Sequence, residues 1–315
     1  MQVTHGTIKP GGSRSGFASG TGLTIGNFDG VHRGHRAMLD RLAAKARELR
    51  LPCSVLTFEP HPREFFSPSA APARLSRLRE KLELIAEAGI DRTHVLRFGA
   101  RLAALAADRF IEDVLVRGLG VRWLLVGRDF RFGAKRSGDF ALLESCAARL
   151  GFALEAMPEV MNAGERVSSS GVRAALAAGD LAAAARLLGR EYTMSGRVAH
   201  GEKLGRALGF PTANIVLRRR PPLAGIFTVT AELEETHAVL RGVASVGRRP
   251  TVRENAPPLL EVHLFDWNGD LYGRHLRVKF LQKIRDEEKY GGLDALRSAI
   301  ARDVQQAQDY FRKNG

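Results

Sequence analysis

The chain has 315 residues, 44% of them hydrophobic, which is enough for two packed domains and excludes a disordered or low-complexity protein. Its 48 Lys and Arg against 34 Asp and Glu leave a formal charge of +14, but the longest basic run is only Arg218-Arg219-Arg220 and no aromatic-interleaved string accompanies it. Polyanionic small substrates account for that excess without a dedicated nucleic-acid partner. Both cysteines, Cys53 and Cys146, lie in apolar segments, residues 1–22 lack the apolar stretch of a signal peptide, and no run approaches a membrane span. A cytoplasmic protein without disulfides or membrane contact is expected.

From residue 23 to about 188 the pattern alternates strand with helix. Strands are predicted at 23–25, 53–58, 94–98, 123–126 and 153–157, with helices at 36–49, 77–88, 109–117, 140–150 and 171–188. Such alternation predicts a doubly wound parallel sheet, whose ligands bind beyond the carboxyl ends of the strands. The loops beginning at Gly26 and Gly127 should then open onto one site. Gly20-Thr21-Gly22 precedes the first predicted strand instead of following it, which excludes the dinucleotide fingerprint of a dehydrogenase. No lysine-bearing phosphate loop of the Walker type occurs.

The style changes after Gly189. Strand-like segments at 226–232, 241–244, 259–265 and 275–281 follow one another, Asp266-Trp267-Asn268-Gly269-Asp270 carries a hairpin signal, and an amphipathic helix spans 293–311. A small β-barrel with a terminal helix is expected, so the whole chain reads as α/β plus β, divided into residues 1–188 and 189–315.

The chemistry concentrates at Gly26-Asn27-Phe28-Asp29-Gly30-Val31-His32-Arg33-Gly34-His35, where a strand hands over to a helix. Unpaired backbone N–H groups and the helix dipole favour an anion there, and His32 and His35, one turn apart, can add donors to the same phosphate. An isolated H-x-x-H reads as a surface pair or half of a metal site, but no zinc-spaced partner lies nearby. Gly26, Gly30 and Gly34 suit a backbone that must approach a ligand closely. The whole string resembles the G-x-F-D-G-x-H-x-G-H signature of the nucleotidylyltransferase domain of bacterial FAD synthetases, a Rossmann-like fold.

Residues 126–133, which include Asp129, are similar to the V-G-x-D/N-F-x-F-G segment that this family places in its adenylyl-transfer site. The segment from Arg166 through Ser168, Ser169 and Ser170 to Arg173 opens a helix and resembles the family's S-S-T-x-x-R string. Ser170 stands where threonine is usual and Gly171 where a larger residue is common. The resemblance implies that these residues hold ATP phosphates, with Arg173 neutralising developing charge. An ordinary helix N-cap is the alternative reading of the hydroxyls.

Farther along, residues 200–214 are glycine-punctuated and end in Pro211-Thr212-Ala213-Asn214. Hard oxygen ligands on a turn would suit Mg²⁺, which takes few protein ligands. The string resembles the riboflavin kinase signature, implying Thr212 and Asn214 as magnesium ligands beside ATP and Gly201, Gly205 and Arg206 as nucleotide contacts. Alternation over 259–265 puts Glu261 and His263 on one face, and Glu261 coincides with the acid that the kinase family uses as general base toward the riboflavin 5′-hydroxyl. Segments at 242–244, 249–251, 271–273 and 285–290 resemble flavin and nucleotide segments of that family, which implies Gly242, Arg285 and Glu288 beside the flavin. Ser245 replaces a usual asparagine.

The resemblance to bifunctional riboflavin kinase/FAD synthetase extends from about residue 22 to 311. It implies two Mg²⁺- and ATP-dependent steps, riboflavin to FMN and then FMN to FAD with release of pyrophosphate. Two alternatives stay open: a chain with only one active module, or a basic nucleic-acid-binding protein on an ancestral nucleotide fold.

Overall fold

The computed structural model describes residues 1–6, 20–162, 164–201, 204–247 and 257–314. They form two compact units, the first comprising 1–72 and 78–167 and the second 73–77 and 168–315.

The first unit is a six-stranded parallel sheet in the order β1-β4-β3-β2-β5-β6. Its strands are β1 (Gln2–Gly6), β2 (Thr21–Ile25), β3 (Cys53–Glu59), β4 (Arg92–Arg97), β5 (Val121–Gly127) and β6 (Ala153–Met157). The helices are α1 (Arg33–Glu48), α2 (Pro62–Phe66), α3 (Leu78–Ala86), α4 (Ala100–Ala103), α5 (Ala107–Arg109) and α6 (Phe140–Leu150). Both faces of the sheet are covered, and β5 shows why. Leu124 and Val126 join a cluster with Ile111, Leu115 and Leu143, while Trp123 and Leu125 join another with Leu39, Leu42 and Ile85. Successive side chains on one strand thus enter opposite cores, as a doubly wound sheet requires. The helix expected at 109–117 is π-wound over Phe110–Val116. A two-residue ladder, β7 (Met161–Asn162) and β8 (Glu165–Arg166), ends the unit.

In the second unit the helix expected over 171–188 is broken into α7 (Ser169–Ala178) and α8 (Leu181–Leu188). Gly179 takes φ 77°, which ends one helix in the left-handed region, and the Asp180 side chain caps the next. The barrel follows as β9 (Thr193–Arg197), α9 (Leu204–Ala207), β10 (Ala213–Val216), β11 (Gly225–Leu233), β12 (Val239–Gly247), β13 (Leu259–Leu264) and β14 (His275–Arg285). Strand order is β10-β13-β12-β11-β14-β9, and a bridge between Ala199 and Asn214 nearly closes the ring. The terminal helix α10 (Leu293–Asn314) packs on β11, β12 and β14.

Two expectations are corrected here. The 266–270 segment turns the chain but makes no hairpin, because β13 pairs with β10 and β12 while β14 pairs with β11 and β9. Asn214 lies not on a turn but within β10, which pairs with β13.

Candidate active sites

In the first unit β2 pairs parallel with β5, while the chain runs from β2 outward through β3 to β4 on the other side. The sheet therefore reverses its winding between β2 and β5, and the loops beginning at Gly26 and Gly127 leave the carboxyl edge there. Crevices of this kind take ligands in open α/β sheets.

The 26–31 loop is held in a costly conformation. Phe28, Gly30 and Val31 all have positive φ, at 48°, 82° and 38°. For a β-branched residue this costs about 1–3 kcal/mol, recovered here by burial of Phe28 and Val31 in the core around Leu39 and Ile85. Two glycines serve the loop's own rings. A Cβ on Gly26 would meet the Phe28 ring at 3.0 Å, and one on Gly34 would meet the His32 ring at 3.2 Å. Glycine at both positions spares the neighbouring aromatic rings a tight contact.

His32 is the N-cap of α1, its Nδ1 accepting the His35 backbone N–H at 3.3 Å. In the neutral ring the proton then sits on Nε2, making that nitrogen a donor. The His35 ring stacks on it with centroids 3.7 Å apart and 15° between planes. Burial, followed by the charges of His32 and Lys81, holds the His35 pKa well below the ordinary imidazole value, so the ring is neutral at pH 7. Its Nδ1 is buried without a hydrogen-bond partner. Both rings stand at a helix N-terminus, the His35 ring neutral.

Asp129 and Arg166, singled out separately in the sequence, meet at 2.6 Å, and Glu159 holds the same guanidinium at 3.0 Å. Asn27 is tied to β3 through its carbonyl, which accepts the Thr57 hydroxyl at 3.3 Å, and Asp29 is buried. Ser169, Ser170 and Arg173 belong to the second unit. There the α7 N-cap is Ser168, which accepts the Gly171 N–H at 3.1 Å, while Arg173 Nε donates to the Ala73 carbonyl at 2.7 Å.

Sequence reasoning missed an aromatic group in the first unit. Phe58, Phe65, Phe66 and Phe98 stack edge to face, with Phe66 63% exposed. A cavity of about 340 Å³ lined by Leu96, Arg97, Leu102, Leu105 and Val114 also opens at the carboxyl end of β4. The Phe65-Phe66 pair directly after the predicted strand at 53–58 was the available signal.

The barrel site is a row of side chains set by register. Asn214 on β10 faces Glu261 on β13, and Glu261 faces Ser245 on β12. Ser245 in turn faces Ile226 on β11, which faces Arg285 on β14. Glu261, Ser245, Ile226 and Arg285 line a cavity of about 300 Å³ that also takes in Gly205, Phe210, Thr212, His263, Glu288 and Tyr290. Thr212 and Arg206 line a second, polar cavity of about 360 Å³ with Trp267, Asp270 and Tyr272, so Thr212 borders both.

Asn214 Oδ1 is buried with no hydrogen-bond partner, whereas its Nδ2 donates to the Thr212 carbonyl at 3.1 Å. A Cβ on Gly201 would come within 2.7 Å of that amide, which accounts for the glycine. An orphaned carboxamide oxygen beside a threonine fits a hard cation that also takes phosphate and water oxygens. Among the described residues no group of three His, Cys, Asp or Glu could hold a metal on its own.

Arg285 is fixed by Asp303 of α10 through two bonds of 2.8 and 2.6 Å, and Tyr290 donates to Glu288 at 3.1 Å. Glu287 is lifted above the usual carboxylate range by burial, an effect that its Ser245 hydrogen bond opposes and the Glu261 charge reinforces. Gly242 does not line the cavity and pairs with Leu264, whereas its neighbours Val243, Ala244 and Ser245 do line it. Residues 202–203 and 249–251, which the sequence also flagged, lie outside the described residues.

The family model for FAD synthetase matches residues 15–171 and that for riboflavin kinase matches 188–311. The chain is 50% identical over 290 residues to the bifunctional riboflavin kinase/FMN adenylyltransferase of Escherichia coli K12, covering 92% of each chain. It is 50% identical to the Pseudomonas fluorescens protein of the same description, over 90% of this chain and 91% of that one. Among solved structures, one titled macrolide-efflux protein from Streptococcus pneumoniae superposes with a TM-score of 0.76 at 26% identity, covering 96% of this chain and 97% of the other. With both family models matched in tandem and relatives matched almost end to end, the chain belongs to the bifunctional riboflavin kinase/FMN adenylyltransferase family, which converts riboflavin to FMN and FAD.

Proposed function

We propose that riboflavin is phosphorylated in the barrel on the Asn214–Glu261–Ser245 row, and that FMN is adenylylated at the 26–35 loop of the parallel sheet. The observation that carries the kinase reading is Thr212, which borders both barrel cavities. A phosphoryl group moving from a nucleotide in the polar cavity to a flavin in the other would pass beside it. Glu261 accepts the proton of the riboflavin 5′-hydroxyl as that oxygen attacks the γ-phosphorus. Arg285, Glu288 and Tyr290 bound the flavin side, with Phe210 and Val243 as apolar walls. Arg206 meets the nucleotide, and Gly201 and Gly205 let the chain pack against Asn214 and Thr212.

Mg²⁺ is the ion that suits this donor set, with Asn214 Oδ1 and the Thr212 hydroxyl as its protein ligands. When bound it neutralises phosphate charge. In the first unit the His32 and His35 imidazoles face the ATP phosphates, Asp129 and Arg166 contact the nucleotide, and the aromatic group with its neighbouring cavity takes the flavin ring. The functional domains divide at 188/189, and the reactions run in the cytoplasm, where both buried cysteines, Cys53 and Cys146, stay free thiols.

The magnesium assignment is tested by titrating the metal. Asn214→Ala should raise the Mg²⁺ concentration for half-maximal riboflavin phosphorylation at least tenfold and leave the Mg²⁺ requirement of FMN adenylylation unchanged. An unaltered requirement in the kinase step would remove Asn214 from the metal site.

A further inference from the structure

Helix α3 carries a lysine where its apolar stripe should begin. Lys81, Ile85 and Ala88 recur at helical spacing and all three are buried, Ile85 and Ala88 within the core that holds Phe28 and Val31 of the 26–31 loop. Lys81 itself is 0% exposed. Taking an ammonium out of water costs several kcal/mol, and a leucine or methionine would fill the same space without that penalty. Its Nζ reaches the Thr57 hydroxyl at 3.5 Å, and that hydroxyl donates to the Asn27 carbonyl at 3.3 Å. The Lys81 charge also acts on the His35 ring, where it is one of the causes that keep the imidazole neutral. The charge therefore stands beneath the loop, behind a His35 ring that carries none at pH 7. The same loop holds Asp29, which is buried as well.

We propose that Lys81 is a positioning residue of the adenylyl-transfer site, whose buried charge orders the 26–31 loop through Thr57 and Asn27 and stabilises the departing pyrophosphate. In that reaction an FMN phosphate oxygen forms a bond to the α-phosphorus of ATP. The bond from the α-phosphorus to the bridging oxygen breaks, and pyrophosphate leaves with the electron pair. The inference rests on the assignment of this step to the 26–35 loop. Lys81 acts through the loop and through its field, behind the groups that touch the phosphates.

The test uses the full-length enzyme with Lys81→Met, which keeps the volume, and Lys81→Gln, which keeps a donor for Thr57 but no charge. Both should lower kcat/KM for FMN adenylylation about 10²-fold and weaken product inhibition by inorganic pyrophosphate at least tenfold. Riboflavin phosphorylation should be unchanged in both. A Lys81→Gln enzyme with parental rate and parental pyrophosphate inhibition would overturn the role of the charge. A slow Lys81→Met enzyme that pyrophosphate still inhibits normally would overturn it too, leaving a packing role. The His32→Ala/His35→Ala double variant separates the two levels of the argument. If it also adenylylates at the parent rate, the placement of the site fails; if it is inactive while the Lys81 variants are not, only the Lys81 assignment fails.

Discussion

Glu261→Gln tests the kinase mechanism with the least disturbance of shape. The carboxylate sits at the middle of β13, between Asn214 and Ser245 in register, so an amide of equal size keeps the ladder and most of the packing. What it loses is the capacity to accept a proton. General-base catalysis contributes about 10²- to 10⁴-fold, or roughly 3–5 kcal/mol of barrier, and riboflavin phosphorylation should fall by that factor. Stability should move the other way. Glu287 has its folded-state pKa raised, by burial first and by Glu261 in addition. A carboxyl raised in this way removes stability as pH climbs from the ordinary carboxylate range through the folded pKa, because the unfolded chain gives up the proton first. Deleting the Glu261 charge relieves part of that loss, so at pH 7 the variant should melt at or above the parent temperature. The assay incubates pure enzyme with ATP, Mg²⁺ and either riboflavin or FMN, and separates the flavins by chromatography. FAD should form from supplied FMN at the parent rate while riboflavin remains unconverted. Riboflavin phosphorylation at the parent rate would refute the base assignment.

Asp303→Ala removes the buried partner of Arg285 and leaves a guanidinium in the barrel cavity of about 300 Å³ without its two bonds, which should cost about 3 kcal/mol and, if the flavin binds there as proposed, raise the KM for riboflavin. Calorimetric melting and kinase kinetics check both effects, and an unchanged melting temperature would show that the pair is dispensable. Truncation tests the boundary. Helix α8 buries Leu181, Ala184, Leu187 and Leu188 and contacts β14, so a chain starting at Ser168 should melt well above one starting at Gly189, each exposed leucine being worth about 1.5–3 kcal/mol. Equal melting of the two fragments would favour a boundary at 188/189.

The parallel sheet was legible because its strands and helices alternate and their apolar periods are clean. Leu23, Leu124 and Leu125 announce buried strands, and Leu39, Leu42 and Ala46 announce one face of α1. Strand β1 was not read, since Gln2, Thr4 and His5 break any apolar run and its place is an outer edge against β4. In the barrel, Thr193–Arg197 and Ala213–Val216 are short and lack alternation, so the closing strands were invisible until the ring was assembled. The 266–270 turn was read correctly as a turn and wrongly as a hairpin, because which strands pair is decided by the whole sheet. Lys81 escaped notice for a different reason: a lysine in a helix rich in Arg79, Glu80 and Glu83 looks like part of a solvated face until its burial is known.

In the barrel, catalytic geometry and folding specificity depend on the same alternation. Leu260 and Val262 are fully buried, and with side chains alternating along β13 their burial turns Glu261 and His263 to the cavity. A slip of one residue would exchange the faces, sending the carboxylate into an apolar core and a leucine into the site. The Ala199–Asn214 bridge, with its 2.7 Å hydrogen bond, fixes the neighbouring strand against such a slip and at the same time holds Asn214 opposite Glu261. The core residues of β13 therefore act on the proposed catalytic step without touching a substrate, because they decide which face of the strand the carboxylate occupies.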